Sequence, residues 1–483
     1  MEQKAKVKSV KFNMIMNAIL TMSNIIFPLI TFPYATRILL PAGMGKISFA
    51  TSVVAYFSMF AQLGIPTYGV RTCAKIRDDK EKLSKTVQEL LIINVATVLI
   101  SYAVFAGAIL AVPRFNREKE LLIIMGISIL LNAMGVEWLY KALEQYSYIT
   151  IRSIIFKVVA LLGMFLLIHN KEDYIIYGGI TIFAASASNI LNFINLRKHI
   201  TLKPLGGYEL KKHMKPMLVF FAVSVAATIY TNLDNVMLGF MKDDTEVGYY
   251  TAAVKVKTIL VSLITSASVV LLPRASLYIE KGEKDEFYRI LNKTLRLIHI
   301  MAIPLAIYFM MYAEESILLL SGKEFIDSIL PMQIIMPTLI FIGMTNLIGI
   351  QMLVPLGKEM LVFWSEVAGA IIDLILNAIL IPSYGAAGAA VGTLVAEIAV
   401  LTLQIIFVRD KMRNLLKNVS WVKMLMANLL AILVSFWVMV MGWGTFITLL
   451  LSALMYFVMY GASLLLLKES LIREILTKKK TKI

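Results

Sequence analysis

Acidic side chains are scarce in this chain. It holds 31 Asp and Glu against 47 Lys and Arg in 483 residues, and these four types together make up only 16%. Soluble domains carry roughly 25%, so an ordinary water-soluble globule of this length is excluded. Cysteine is nearly missing. Cys73 stands alone, which rules out an intrachain disulfide and any cysteine-rich zinc site. Histidine is sparse too: His169, His199 and His213 fall at loops, and His299 falls in an apolar run with no partner near it in sequence. No catalytic constellation is built from these, and core or cavity lining is expected of His299. No basic groove with interleaved aromatics appears, so the formal charge of +16 does not point to nucleic acid.

What is abundant is apolar sequence. Hydrophobic residues make up 59% of the chain and the mean hydropathy is +0.78. Runs long enough to cross a hydrocarbon core of about 30 Å recur throughout. They predict an all-α polytopic membrane protein of about fourteen transmembrane helices. The spans read as Asn13 to Leu40, Lys46 to Pro66, Gln88 to Val112, Glu120 to Lys141, Tyr148 to Ile168 and Tyr174 to Leu196. After a basic segment come Pro216 to Met241, Gly248 to Arg274, Lys293 to Ala313, Ile326 to Leu353, Glu359 to Leu380 and Ala386 to Phe407. Val422 to Val440 and Thr445 to Leu467 close the series. The basic start (Lys4, Lys6, Lys8, Lys11) leads into an apolar stretch too long for a signal h-region, so no cleavable signal peptide is expected.

The cations are not spread evenly. Alternate loops hold Arg71, Lys75, Arg77, Lys80, Lys82 and Lys85, then the run from Arg197 to Lys215, then Arg274 to Lys293, then Arg409 to Lys417, and the tail adds Lys478, Lys479, Lys480 and Lys482. The opposite loops are short and poor in Lys and Arg apart from Arg114, Arg117 and Lys119. The positive-inside rule then puts both termini in the cytoplasm. Short outer loops leave no room for the soluble domain that a membrane-bound polymerase or ligase would need.

An internal repeat is also legible. GKISFATSVV from Gly45 resembles GYYTAAVKVK from Gly248, an offset of 203 residues that also carries Arg71 onto Arg274. Six spans precede the long basic loop and six follow it. Two parallel six-helix lobes are expected, 1–196 and 216–407, joined by a cytoplasmic linker 197–215, with two extra spans and a basic tail in 408–483.

Ionisable groups inside spans are costly and mark cavities or partners. Asp234 and Lys255 lie eight residues either side of the turn 242–247, hence at one depth of roughly 12 Å on antiparallel helices. They are expected to pair, while Lys257, two residues on, faces elsewhere. Glu137 and Lys157 sit near the cytoplasmic side and can pair, with Glu137–Lys141 at i,i+4 as the alternative. Glu366, Asp373 and Asn377, spaced seven and four, share a helix face whose oxygens suit a hard cation or a proton. Thr393 follows in the small-residue run GAAGAAVGT, which permits close helix approach. Arg37 stands near the outer end of the first span, snorkelling to the interface or touching an anionic headgroup.

These residues carry a family resemblance. NAILTMSNIIFPLITFPYATRILLPAGMGKISFA with LGIPTYGVR, then EWLYKALEQYSYITIR (Glu137 to Arg152) and NLDNVMLGF (Asn232 to Phe240), resemble the repeat-unit flippases of O-antigen and capsule assembly. The resemblance implies the MOP exporter superfamily, with its MATE-like fold. It also implies an undecaprenyl-diphosphate-linked oligosaccharide as substrate, moved from the cytoplasmic to the outer leaflet of the cell membrane. Lipid II flippases of that superfamily have a sodium site that Asp234, Asp373, Asn377 and Thr393 match, with the Asn and Asp order reversed. No other cofactor is implied, and Na+ or H+ is the coupling ion. Lys255 and Lys257 stand in for a cavity arginine, with Arg37, Glu137 and Lys157 as further cavity charges. Asn17 and Asn24 occupy the first span where lipid II flippases carry arginine. Membrane lipids and other polysaccharide-assembly proteins are the expected partners, and nucleic acid is not. Competing readings are a MATE-like multidrug exporter, which wants an acidic cavity, a membrane enzyme of glycan assembly, and a non-transporting component of an assembly complex.

Overall fold

A computed structural model describes residues 10–269, 272–417, 419–471 and 474. Lys4, Lys6, Lys8 and the tail lysines 478, 479, 480 and 482 lie outside the described residues, as do the side chains of Lys11 and Arg274. Among the described residues the regular structure is helix alone.

Among the described residues eleven helices are long and apolar enough to cross a membrane, and a pair bent by 48° (Lys323–Ile335 with Thr338–Leu353) makes a twelfth. Two of the eleven are double. Val10–Gln62 has 53 residues and Glu359–Phe407 has 49, lengths of about 80 and 74 Å that no bilayer of about 30 Å accommodates in one pass. Each bends where its backbone leaves the helical region: at Leu40 (φ 59°, ψ 176°) and at Gly385 (φ 52°, ψ −129°). Pro41 follows Leu40 and has no N–H to lose at the break. Divided there, the described residues make fourteen candidate spans, in line with the hydropathy pattern.

Three spans run further than their apolar runs. The helices Lys80–Ala111, Lys211–Met241 and Lys284–Met311 begin before Gln88, Pro216 and Lys293. These additional turns carry Lys, Arg and Glu. Asp79 caps the first of them, its carboxylate accepting from the Lys82 amide at 3.0 Å, and that bond holds the carboxyl below its usual range. Large apolar side chains such as Leu110, Leu166, Trp437 and Leu466 are exposed along the spans, the pattern of a surface solvated by lipid.

The chain divides into two compact units, 1–248 and 249–483. In the first, a buried cluster of Val87, Leu90, Trp138, Leu139, Tyr140 and Met217 ties the basic ends of its spans together. Beside it Glu89, fully buried, accepts from His213 Nε2 at 2.8 Å and from Lys212 Nζ at 3.0 Å, while His213 Nδ1 meets Tyr68 Oη at 2.8 Å. His213 is therefore a buried helix residue rather than a loop residue, because its helix begins at Lys211, more than a turn before the apolar run. At the other end of this unit Arg114 pairs with Asp244, and Lys46 with Glu118 at 2.7 Å.

In the second unit Tyr308, Tyr312 and Tyr456 pack as buried rings, and Tyr456 Oη donates to Asn428 Oδ1 at 2.7 Å. This fastens the last two spans to the ninth. His299 is buried, bonded through Nδ1 to the Leu295 carbonyl at 2.7 Å and edge-on to Trp421.

Candidate functional site

A cavity of about 510 Å³ opens in the first unit. Its walls carry Thr51, Ser58 and Gln62 from the second span, Ser128 and Asn132 from the fourth, Ser186 from the sixth, and Ser224, Thr228 and Asn232 from the seventh. Val54, Met59, Met125 and Ile182 supply apolar patches between them. The described lining holds hydroxyls and amides and no ionisable side chain. The sixth span turns π-helical over Phe183–Ala187, which brings Ser186 to the wall; such bulges are frequent at functional sites.

The wall is held by polar contacts behind it. Ser186 Oγ donates to Asn132 Oδ1 at 3.0 Å, and Asn189 Nδ2 reaches the same oxygen at 3.4 Å. Arg152, 4% exposed, donates to Ser188 Oγ (2.6 Å), Asn189 Oδ1 (3.1 Å) and Glu137 Oε2 (3.1 Å). Glu137 Oε1 accepts from Lys141 at 2.9 Å. The expected Glu137–Lys157 pair is not what forms. Lys157 Nζ donates instead to Asn24 Oδ1 at 2.5 Å and Ser23 Oγ at 2.8 Å on the first span. The reason is geometric: the planar guanidinium of Arg152 reaches three acceptors at once. Lys157 lies five residues deeper, about 7.5 Å along the helix, where Asn24 is the available acceptor.

Arg152 is the residue that sequence reasoning passed over. It stands at the end of the motif from Glu137 to Arg152, and an Arg 15 residues after a Glu near one end of adjoining spans is the signal that could have found it. The neutral lining was invisible for another reason. Each of its Ser, Thr and Asn residues, taken alone, looks like a helix residue bonding its own backbone.

The other predicted residues fall as follows. Arg37 is exposed and donates to the Pro33 carbonyl of its own helix at 2.6 Å. Asp234 is buried on the seventh span, within electrostatic reach of Tyr56. Lys255 and Lys257 are half-buried on the eighth span, and Glu366 is half-buried on the eleventh. Asp373, Asn377 and Thr393 are all buried in the second unit, on the two halves of the helix that turns at Gly385.

Asp373 and Asn377 both abut Gly392, the residue before Thr393. A Cβ placed there would come within 2.3 Å of Asn377 Oδ1 and 2.9 Å of Asp373 Oδ1. Only glycine lets the twelfth span approach the two side-chain oxygens so closely. Thr393 Oγ1, next in sequence, meets Tyr250 Oη at 2.8 Å. Carboxylate, amide and hydroxyl oxygens of this kind fit a hard monovalent cation. Among the described residues no group of three or more His, Cys, Asp or Glu stands ready for a metal, so a transition-metal centre is not what this cluster offers.

The described spans make a class of protein, a polytopic all-helical membrane protein, and solved structures share its fold. The structure matches that of "Lipid II flippase MurJ, inward closed conformation" with a TM-score of 0.71, over 94% of this chain and 99% of that one at 18% identity. It matches an inward-facing multidrug resistance MATE family transporter of the MOP superfamily with a TM-score of 0.59, over 84% and 99% at 11% identity. At such identities the likeness is one of fold. The sequence goes further. Residues 10–279 match the family model described as polysaccharide biosynthesis protein, and the chain belongs to that family. It is 22% identical over 404 residues to the "Putative O-antigen transporter" of Escherichia coli (strain K12), covering 83% of this chain and 97% of that protein. The protein of the same name from Shigella dysenteriae is 24% identical over 391 residues, 78% and 95% of the two lengths.

Proposed function

We propose that this protein is a flippase that moves undecaprenyl-diphosphate-linked oligosaccharide repeat units from the cytoplasmic to the outer leaflet of the cell membrane by alternating access. The observation that carries the reading is the neutral, hydroxyl- and amide-lined cavity of the first unit. A glycan brings many hydroxyls out of water, and each needs a donor or acceptor in return. Serine, threonine and asparagine supply both without the desolvation cost of fixed charge. Family membership and the O-antigen transporters among its relatives point the same way. A MATE-like drug exporter fits less well, since the described lining offers no carboxylate to a cationic drug.

In this reading Lys255 and Lys257 attract the diphosphate, and Arg37 and the Glu137–Arg152–Lys141 group flank the path. Lys157 presents its cation beside Asn24 on the first span, where lipid II flippases carry arginine. Asp373, Asn377 and Thr393 hold a coupling Na+ or H+, and Asp234 is the buried carboxylate of the first unit. Binding drives the change of conformation only by differing between the two states. Membrane lipids bathe the exposed apolar spans, and other polysaccharide-assembly proteins supply and consume the substrate. Deleting the gene in its host tests the proposal. Lipid-linked repeat units are expected to build up inside while surface polysaccharide disappears. Intact surface polysaccharide together with new drug sensitivity contradicts it.

A further inference from the structure

The cation cluster of the second unit is one end of a longer polar strip. On the eleventh span Ser365, Asp373 and Asn377 follow at spacings of eight and four, and on the twelfth Thr393, Glu397 and Gln404 follow at four and seven. Each set lies on one side of its helix. All six are buried, none more than 7% exposed. Two contacts fix how the strips face each other. Gln404 Nε2 donates to Ser365 Oγ at 3.1 Å, and Gly392 abuts Asp373 and Asn377. The two contacts agree on one antiparallel register, which sets Glu397 about two residues, or some 3 Å, along the helix from the level of Asp373.

The far end of the strip stands out. Gln404 is three residues from the end of its helix, next to the basic helix Arg409–Lys417. Its Oε1 has no hydrogen-bond partner among the described residues. Nearby in the fold, the π-helical turn Asn346–Leu353 packs Gly349 against the Gln404 amide. The same turn carries Gln351, which is 1% exposed with neither amide atom bonded among the described residues. Buried amides without partners are costly.

We infer that Ser365, Gln404 and Glu397 form an access route along which a monovalent cation reaches the Asp373–Asn377–Thr393 cluster from the end of the spans marked by basic residues. This rests on the coupling-site reading given above. Spare amide oxygens would replace water around the ion one at a time, and Glu397 would supply the compensating charge midway.

The test uses full-length protein in proteoliposomes with ²²Na+ as probe. Asp373→Asn is expected to abolish equilibrium ²²Na+ binding, and its failure to do so removes the cluster itself. Gln404→Leu is expected to bind ²²Na+ within twofold of wild type but to exchange it for unlabelled Na+ at least tenfold more slowly. Gln404→Glu, which keeps an oxygen there, is expected to restore exchange. Wild-type exchange in folded Gln404→Leu overturns the route, and so does loss of equilibrium binding in that variant, which would make Gln404 part of the site. If wild type binds no ²²Na+, the same variants are compared for proton flux with a trapped pH dye. There a tenfold slower flux in Gln404→Leu supports the route and an unchanged one overturns it.

Discussion

Gly392 shows how much one missing methyl group can decide. In Gly392→Ala the new Cβ would press on the Asn377 and Asp373 oxygens at 2.3 and 2.9 Å, so the amide must turn away. Ligand binding to the native state stabilises it by RT ln(1 + [L]/Kd) and so raises the melting temperature. Wild type is therefore expected to melt higher in NaCl than in choline chloride, and Gly392→Ala to lose most of that difference while still folding. Thermal unfolding in detergent in the two salts reads this directly. Arg152 has the opposite character, since it is fixed by what it touches. Removing one member of a fully buried ion pair costs roughly 3–5 kcal/mol. Glu137 is 36% exposed and keeps Lys141, so Arg152→Ala is expected to cost less, about 2 kcal/mol. Coupling should show in a double-mutant cycle, with Arg152→Ala and Glu137→Ala together costing less than their sum. Of these two residues the sequence made neither plain. Asp373, Asn377 and Thr393 were legible because charge and spacing within apolar spans are local facts. Arg152 and the Gly392 contact depend on which helices meet.

At the scale of elements, the close crossing of segments 41–45 and 244–248 in the first unit merits a test. A Cβ on Gly45 would lie 1.6 Å from the Asp244 carbonyl oxygen, and one on Gly248 would lie 2.1 Å from that of Pro41. With the offset of 203 residues, Gly45 corresponds to Gly248 and Pro41 to Asp244. Each glycine therefore meets the residue that the offset assigns to the other's partner. Overpacking ordinarily costs about 1–3 kcal/mol. A clash with backbone belongs at the upper end, and Gly248→Ala is expected to lose about 3 kcal/mol or fail to reach this conformation. Gly107, on the third span, has open space where its Cβ would go. Gly107→Ala is expected to be neutral or to gain about 0.5–1 kcal/mol. Equal effects of the two substitutions on thermal unfolding would contradict the close crossing. The spans themselves were readable because hydropathy averages over twenty residues and tolerates error at any one. The break at Leu40 falls where the first apolar run ends, but the π-helical turns at Phe183–Ala187 and Asn346–Leu353 were not legible. They depend on packing between helices and carry no composition of their own.

For the whole molecule, the account holds that a neutral sugar-binding wall, and not only fixed cations, recognises the substrate. The charges drew attention in the sequence because each is conspicuous in an apolar run. The wall became visible only once four spans were placed side by side. Its most direct test is flipping itself. Full-length protein is reconstituted into vesicles with undecaprenyl-diphosphate-linked oligosaccharide in both leaflets, and an impermeant glycan-modifying reagent is added outside. Wild-type vesicles are expected to surrender the inner-leaflet pool as well as the outer, and Asn132→Leu with Ser186→Ala to lower that rate at least tenfold without loss of fold. Vesicles that protect half the substrate whether or not they hold the protein would contradict the account.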